Sequence, residues 1–175
     1  KYSESLKYLV HYPFGCIEQT TSGAFPLLYF KDLARLAAPE LFRDSSVDYF
    51  VNEGVRKLVS MNMPDGQFAF WPDGGYAAYP WASIYATHYL IEAKKAGYNV
   101  PEVIVDRALD YQWRFSTTHK YEGLYDCDET AYSLYVLSLG GRPNLSAMDW
   151  MLKRDCIKDD LEPRTLLAGA YALKG

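Results

Sequence analysis

The sequence predicts an all-α protein built from paired helices, and three observations lead to that prediction. Apolar residues recur at helical spacing along almost the whole chain. The one long interruption, at residues 63–80, carries turn residues. A pattern of one helix followed by glycine recurs in the second half of the chain. With 175 residues, of which 49% are hydrophobic and 23% charged, the chain is expected to fold around a core of its own.

The overall charge and hydropathy exclude two classes of protein. The net charge of −4 leaves no broad basic surface for nucleic acid. No apolar run approaches the ~18 residues that a membrane span needs, and no export signal is visible at the start. Because the sequence begins within a helical pattern, we expect it to be a piece of a larger protein.

Two helices are predicted before residue 40. The first covers residues 3–12 and is broken by Pro13. The second runs from about 16 to 38 and is apolar on most sides, which predicts an inner, buried helix. Pro26 lies inside this pattern and predicts either a kink or a helix start near Ala24.

A third helix is predicted after the capping cluster at residues 44–46, because apolar side chains then recur on one helix face. These side chains are Val47, Val51, Val55 and Leu58. Residues 63–80 follow, with Pro-Asp-Gly turns at both ends of a short stretch that is compatible with a short hairpin or an ordered loop. Further helices are predicted at residues 81–96, 101–115, 128–139, 144–154 and 162–175.

The later helices form a repeat. Helices rich in Ala, Tyr and Leu end at Gly97, Gly140 and Gly175, so the closing glycines lie 43 and 35 residues apart. After the first two, a proline opens a more amphipathic helix. Alternating inner and outer helices predict an α/α toroid of helical hairpins that is incomplete, with the last inner helix at an open edge. A plain irregular helical bundle is the alternative.

A cysteine and a glutamine three positions apart are the main candidates for chemistry. Cys16 and Gln19 stand at a predicted helix start, where side chains at that spacing come within ~5–6 Å of each other. The thiol can attack the carboxamide carbon, displace ammonia and form an internal thioester. Gly15 allows a tight turn before the thiol, and the helix N-terminus would stabilise the thiolate when the bond is opened.

The residues around this pair make the pattern specific. They closely resemble the thioester motif of the alpha-2-macroglobulin family in its bacterial form, over the 11 residues Tyr12-Pro13-Phe14-Gly15-Cys16-Ile17-Glu18-Gln19-Thr20-Thr21-Ser22. The resemblance implies that residues 1–175 are part of a single thioester domain, related in fold to those of complement proteins. An Asp-Gly-Gln-Phe-x-x-Trp loop also resembles repeats of terpenoid cyclases and prenyltransferases, which share the toroid of paired helices.

The resemblance also implies roles for the motif residues. Cys16 and Gln19 form the bond, Glu18 is the acidic residue of the motif, and Tyr12 is the aromatic that shields the bond from water. Packing against the second helix is an alternative role for Tyr12. No cofactor and no metal site are predicted, because no pair of histidines has metal-ligand spacing.

In complement-type relatives a histidine accepts the acyl group, and three histidines are candidates here. His119 lies in a loop between two helices, broadly where that histidine lies in complement proteins. His88 lies on a helix face between Ile84 and Ile91 and is expected to be a hydrogen-bonded core residue. His11 could approach the bond, although packing is its expected role.

The two remaining cysteines, Cys127 and Cys156, are compatible with a disulfide or with two free thiols. Near the first of them, residues 126–129 form an acidic cluster, which is typical of a helix N-terminus. A carboxylate-rich cluster is also what a toroid enzyme, such as a terpenoid cyclase or prenyltransferase subunit, would require.

Taken together, the resemblance implies the thioester domain of a broad-spectrum protease inhibitor. It would be a single-turnover trap and no enzyme, capturing Lys or Ser nucleophiles of a protease, with the remaining domains of a larger chain as its other partners. The family implies an extracytoplasmic, periplasmic location, with the parent protein anchored to the inner membrane. The alternatives are a toroid enzyme, or a helical scaffold that has lost its thioester.

Overall fold

The fold is all-α, as predicted, in a computed structural model that describes residues 15–37, 39–40, 42–43, 46–118 and 125–174. The helices of these residues are α1 (Ile17–Tyr29), α2 (Lys31–Ala37), α3 (Val47–Met61), α4 (Pro80–Lys95), α5 (Glu102–Thr118), α6 (Tyr125–Leu139), α7 (Leu145–Met151), α8 (Asp155–Asp159) and α9 (Leu161–Leu173). Across these ranges no helix is long and apolar enough to cross a bilayer.

The helices form two layers that follow each other around an arc. The inner helices α1, α4, α6 and α9 contact one another in that order. The outer helices pack behind them: α3 against α1, α5 against α4 and α6, and α7 and α8 against α9. This alternation is the incomplete α/α toroid that the repeat predicts. On α9, Ala168, Ala172 and Leu173 are exposed, so the last inner helix forms the predicted open edge.

Pro26 lies inside α1, which begins at Ile17, so the predicted alternative of a helix start near Ala24 is wrong. The helix ends with Phe30 as its C-cap. The Phe30 N–H donates to the carbonyl of Pro26 at 2.9 Å and closes the last turn. A proline lacks an N–H group, but its carbonyl still accepts, so the helix loses one bond and continues. The predicted single helix to residue 38 is therefore two helices, α1 and α2.

Helix α3 follows the sequence pattern closely. Ser46 is its N-cap, and the Ser46 side chain accepts a hydrogen bond from the Tyr49 N–H at 3.1 Å. The predicted apolar stripe is buried and faces α1. Contact with α1 is close at Gly54, because a Cβ atom there would lie 2.7 Å from the Cβ atom of Ala24.

Residues 62–79 form an ordered loop with isolated bridges, at Asn62 with Phe68 and at Ala69 with Ala77, and contain no strand. The hairpin alternative is therefore wrong. One end of the loop is joined to α1, because the Ile17 N–H donates to the carbonyl of Phe70 at 3.1 Å. This bond satisfies the first backbone donor of α1, which has no partner within the helix itself.

A disulfide links the inner and outer layers in the second half of the chain. Cys127 in α6 and Cys156 in α8 are bonded, with Cα atoms 6.5 Å apart and a sequence separation of 29. Of the two alternatives, a disulfide and two free thiols, the structure therefore has the disulfide. The helix predicted at 144–154 is shorter than expected: it ends at Met151, and the one-turn helix α8, which carries Cys156, follows it.

Candidate functional site

The predicted cysteine and glutamine lie together at the first turn of α1. Cys16 is the N-cap, with an extended backbone at φ −71° and ψ 176°, and Gln19 is the third residue of the helix. The side chain of Gln19 folds back, so that its Oε1 atom accepts a hydrogen bond from the Cys16 N–H at 3.1 Å. The carboxamide is thereby held against the backbone of Cys16.

Gly15 is required for this arrangement in two ways. Its φ of +112° lies in the region that favours glycine. A Cβ atom at this position would lie 1.9 Å from the Oε1 atom of Gln19 and 2.8 Å from its carboxamide carbon. Any other residue at position 15 would displace the Gln19 carboxamide. The tight turn predicted before the thiol is therefore also a contact surface for the glutamine.

The two reacting side chains differ in exposure. Cys16 is 6% exposed and is the free cysteine among the described residues, while Gln19 is exposed to solvent and Glu18 is half-buried. Cys16 is therefore enclosed by the protein, while part of the Gln19 residue faces solvent.

Two further residues near the thiol were missed by sequence reasoning. Thr20 lies one turn after Cys16 and is fully buried, and its hydroxyl has no hydrogen-bond partner. Lys57 of α3 is half-buried. Burial lowers the pKa of Lys57, the negative charge of a Cys16 thiolate opposes that shift, and Arg56 adds to it. The spacing of Thr20 from Cys16 could have indicated the first residue, but nothing in the sequence brings α3 to the motif.

Among the histidines, the structure describes His88 alone, and it lies away from the thiol. Its Nδ1 atom is 2.9 Å from the hydroxyl of Tyr132, and its ring packs edge-on against Phe25 with centroids 4.9 Å apart. Burial lowers the pKa of His88 to about 4, a nearby Glu92 opposes the shift, and Lys95 adds to it. These contacts confirm a hydrogen-bonded packing role. Phe25 lies nine residues beyond Cys16 in the sequence, which is about 13 Å along the helix axis.

Three predicted residues lie outside the described ranges. They are His11, Tyr12 and His119. The acidic cluster before and after Cys127 does lie at the start of α6, where Asp128 and Glu129 follow the first residue of the helix, Tyr125. In the parts of the chain that the structure describes, no group of three or more His, Cys, Asp or Glu side chains could hold a metal ion.

Comparison with known proteins extends the likeness over the whole chain. No protein-family model matches it. The alpha-2-macroglobulin of Escherichia coli K12 is 36% identical over 112 residues, which are 63% of this chain and 7% of that protein. The alpha-2-macroglobulin of Thermotoga maritima is 29% identical over 138 residues, which are 79% of this chain and 8% of that protein. The chain thus corresponds to less than a tenth of the length of these relatives.

Solved structures agree with the sequence matches. A crystal structure of Salmonella alpha-2-macroglobulin reacted with methylamine covers 99% of this chain at a TM-score of 0.80 and 26% identity, over 12% of its own length. The trypsin-activated alpha-2-macroglobulin of E. coli covers 95% at a TM-score of 0.78 and 27% identity, again over 12% of its length. In its fold and in the motif at the start of α1, the chain is thus similar to the bacterial alpha-2-macroglobulins.

Proposed function

We propose that the chain is part of the thioester domain of an alpha-2-macroglobulin-like protease inhibitor, in which a Cys16–Gln19 thioester captures nucleophiles of a trapped protease. The observation that carries the proposal is the position of the Gln19 carboxamide, which is held by the Cys16 N–H at 3.1 Å and pressed against Gly15. The same contact brings the carboxamide carbon to the helix start from which the thiol attacks.

Formation of the bond needs only these two side chains. The Cys16 sulfur attacks the carboxamide carbon of Gln19, a carbon–sulfur bond forms, and the carbon–nitrogen bond breaks with release of ammonia. The partial positive charge at the N-terminus of α1 favours the thiolate that attacks. In the capture step a protease amine or hydroxyl replaces the sulfur on the same carbon.

Capture of a lysine from dilute solution would be slow, because a side chain with a pKa of ~10.4 is only about one part in 10³ neutral at pH 7. Holding the target beside the bond can supply effective molarities of ~10⁵ M or more. The trap therefore requires the rest of a larger protein to deliver the protease. The relatives whose structures were solved after activation by trypsin and after reaction with methylamine support a protease target and an amine-reactive centre.

The trap acts once, because the acyl group stays on the protease and the thioester does not re-form. We therefore propose a covalent inhibitor with no catalytic turnover, located in the periplasm as the bacterial family implies, in a parent protein anchored to the inner membrane. Shielding by Tyr12 and acyl transfer through His119 belong to the same proposal.

A labelled amine tests the proposal on the whole chain. Biotin-cadaverine should be incorporated once, in an amide at Gln19, and one thiol should appear for each amine taken up. The Cys16→Ser variant keeps the fold around the N-cap and should take up none, since a serine oxygen displaces the carboxamide nitrogen far more slowly. Uptake at another residue, or equal uptake by the variant, would overturn the proposal.

A further inference from the structure

We propose that Lys57 and Thr20 stabilise the Cys16 thiolate at the moment when the thioester opens. The inference rests on the proposed function, because it assigns a task to residues that surround the leaving group of that reaction. Neither residue touches the carboxamide carbon as a nucleophile. Both are positioning residues that act on the sulfur.

The hydroxyl of Thr20 has no partner. Thr20 is fully buried and its Oγ1 atom has no hydrogen-bond partner, which is rare for a buried hydroxyl in a helix. The next residue, Thr21, shows the usual solution, since its hydroxyl donates to the carbonyl of Ile17 at 2.8 Å. Thr20 could bond to the carbonyl of Cys16 in the same way and does not. Its hydroxyl therefore has no existing bond to break if it turns to donate to a sulfur anion one turn away.

Helices α1 and α3 run antiparallel, which brings the end of α3 to the motif. The Ala69 N–H donates to the carbonyl of Met61, the last residue of α3, at 2.8 Å. The next residue of the loop, Phe70, accepts from the N–H of Ile17, the first residue of α1. The C-terminal turns of α3 are thus joined to the N-terminal turn of α1.

The position of Lys57 follows from this antiparallel packing. Gly54 lies against Ala24, so the two helices are in register at that pair. Lys57 lies one turn closer to the end of α3, and one turn back from Ala24 on α1 is Thr20. Lys57 therefore lies at the level of Thr20 in this helix pair, near the end of α1 that carries Cys16.

The electrostatics of Lys57 agree with this placement. Burial lowers the pKa of Lys57, and the charge that Cys16 would carry as a thiolate raises it again, so the two charges interact favourably.

The step balances without any further reactant. The nitrogen of a primary amine attacks the thioester carbonyl carbon, which is the former carboxamide carbon of Gln19, and forms a carbon–nitrogen bond. The carbon–sulfur bond breaks, and its electron pair goes to the sulfur of Cys16. The attacking nitrogen loses one proton to solvent, while Lys57 keeps its own and Thr20 donates a hydrogen bond. Nothing is oxidised or reduced.

Four variants of the whole chain separate the charge from the packing: Lys57→Met, Lys57→Arg, Thr20→Val and Thr20→Ser. Two quantities are measured, namely the rate of thioester opening by methylamine and the pH profile for alkylation of the thiol that is released. An exposed lysine, Lys153, serves as the control in Lys153→Met.

We expect Lys57→Met to slow opening severalfold and to move the midpoint of the alkylation profile upward, because an opposite charge near an ionisable group favours its charged form. Lys57→Arg should keep the profile of the original chain. Thr20→Val should show a smaller upward shift of the midpoint. Thr20→Ser, which keeps the hydroxyl, should have the profile of the original chain. Circular dichroism checks that each variant is folded, and Lys57→Gln replaces Lys57→Met if the latter is not.

The inference and the proposed function fail in different ways. If the original chain takes up methylamine and all variants share its rate and its profile, the assignment to Lys57 and Thr20 is overturned and the thioester stands. If the original chain takes up no methylamine, the thioester itself is overturned, and the inference with it. An equal shift in the Lys153→Met control would also overturn the inference, because the effect would then be one of net charge.

Discussion

Gly15 and Gln19 are in contact across the N-cap of α1, so closely that a Cβ atom at position 15 would lie 1.9 Å from the Oε1 atom of Gln19. The two residues therefore constrain each other. Glycine leaves room for the carboxamide, and the carboxamide occupies the space in which a side chain would lie. Cys16, between them in sequence, donates its N–H to the same oxygen.

Gly15→Ala should abolish amine uptake. The methyl group would displace the Gln19 carboxamide, and the φ of +112° would be strained for alanine at a cost of about 1–3 kcal/mol. The measurement is the number of labelled amines incorporated per chain. Gly75→Ala is a matched control, because Gly75 has a φ of +108° and no atom within 4 Å of its would-be Cβ atom. The control should lose some stability and keep its label; equal loss of label in both variants would contradict the contact.

Gly54→Ala should destabilise the packing of α1 against α3. The added methyl would lie 2.7 Å from the Cβ atom of Ala24 and 3.1 Å from the hydroxyl of Tyr89. Overpacking of this kind costs about 1–3 kcal/mol, which exceeds the ~1 kcal/mol that alanine gains over glycine within a helix. Urea unfolding measures the difference.

A second substitution tests whether the contact with Ala24 causes the destabilisation by Gly54→Ala. Ala24→Gly removes the opposing methyl group, so the double variant should be more stable than the sum of the two single effects predicts. We expect an interaction energy of at least about 0.5 kcal/mol, which is the level that distinguishes residues in contact from independent sites. If the two single effects simply add, the Ala24 methyl group does not restrict the side chain that fits at position 54.

The free energy of unfolding should decrease as the pH is lowered, because of His88. Its pKa is about 4 in the folded chain, below the ordinary value of 6.5, so the folded state holds the ring neutral. The unfolded state takes up the proton first. The contribution of the neutral His88 ring to the free energy of unfolding is therefore complete above pH 6.5. It is lost as the pH falls from 6.5 to about 4, and the total loss is roughly 3 kcal/mol.

His88→Gln is the matched variant for this dependence, because an amide can still bond the hydroxyl of Tyr132 but does not titrate in this range. The variant keeps the two charged residues that act on His88, Glu92 and Lys95. Free energies of unfolding measured between pH 4 and 7 should be flatter for the variant. Parallel curves for the two proteins would contradict a neutral, buried His88.

Removing the disulfide should destabilise the second half of the chain. Cys127 and Cys156 close a loop with a sequence separation of 29, for which the chain-entropy relation gives about 3–4 kcal/mol. Urea unfolding of Cys127→Ala/Cys156→Ala should show this loss relative to the original chain. The original chain should lose a similar amount when a reductant is added, and the double variant should not respond to it. No effect of the reductant on the original chain would exclude the bridge.

The features that could be predicted from the sequence are those that depend on residues close together in the chain. Ser46 and the apolar stripe of α3 are visible in consecutive residues, and the structure confirms them. The pairing of Cys16 with Gln19 is visible for the same reason, as a short spacing at a helix start. The break of the second helix at Phe30 was not visible, because Pro26 suggests an earlier irregularity and its carbonyl still closes the last turn.

The features that could not be predicted depend on packing between distant segments. Helix α3, which carries Lys57, packs against α1, and no property of residues 47–61 indicates that packing. The burial of Thr20 likewise depends on the helices around it. The end of the helix at Met151 goes with the disulfide, whose pairing cannot be read from the positions of two cysteines.

The intact mass of the untreated chain tests the thioester most directly. Ring closure between Cys16 and Gln19 removes one ammonia, so the fresh protein should weigh one ammonia less than its sequence with one disulfide, and no thiol should react with an alkylating reagent. After methylamine, the mass should rise by one methylamine and one thiol should appear. A fresh protein at the full sequence mass, with one free thiol and no change after methylamine, would contradict the thioester.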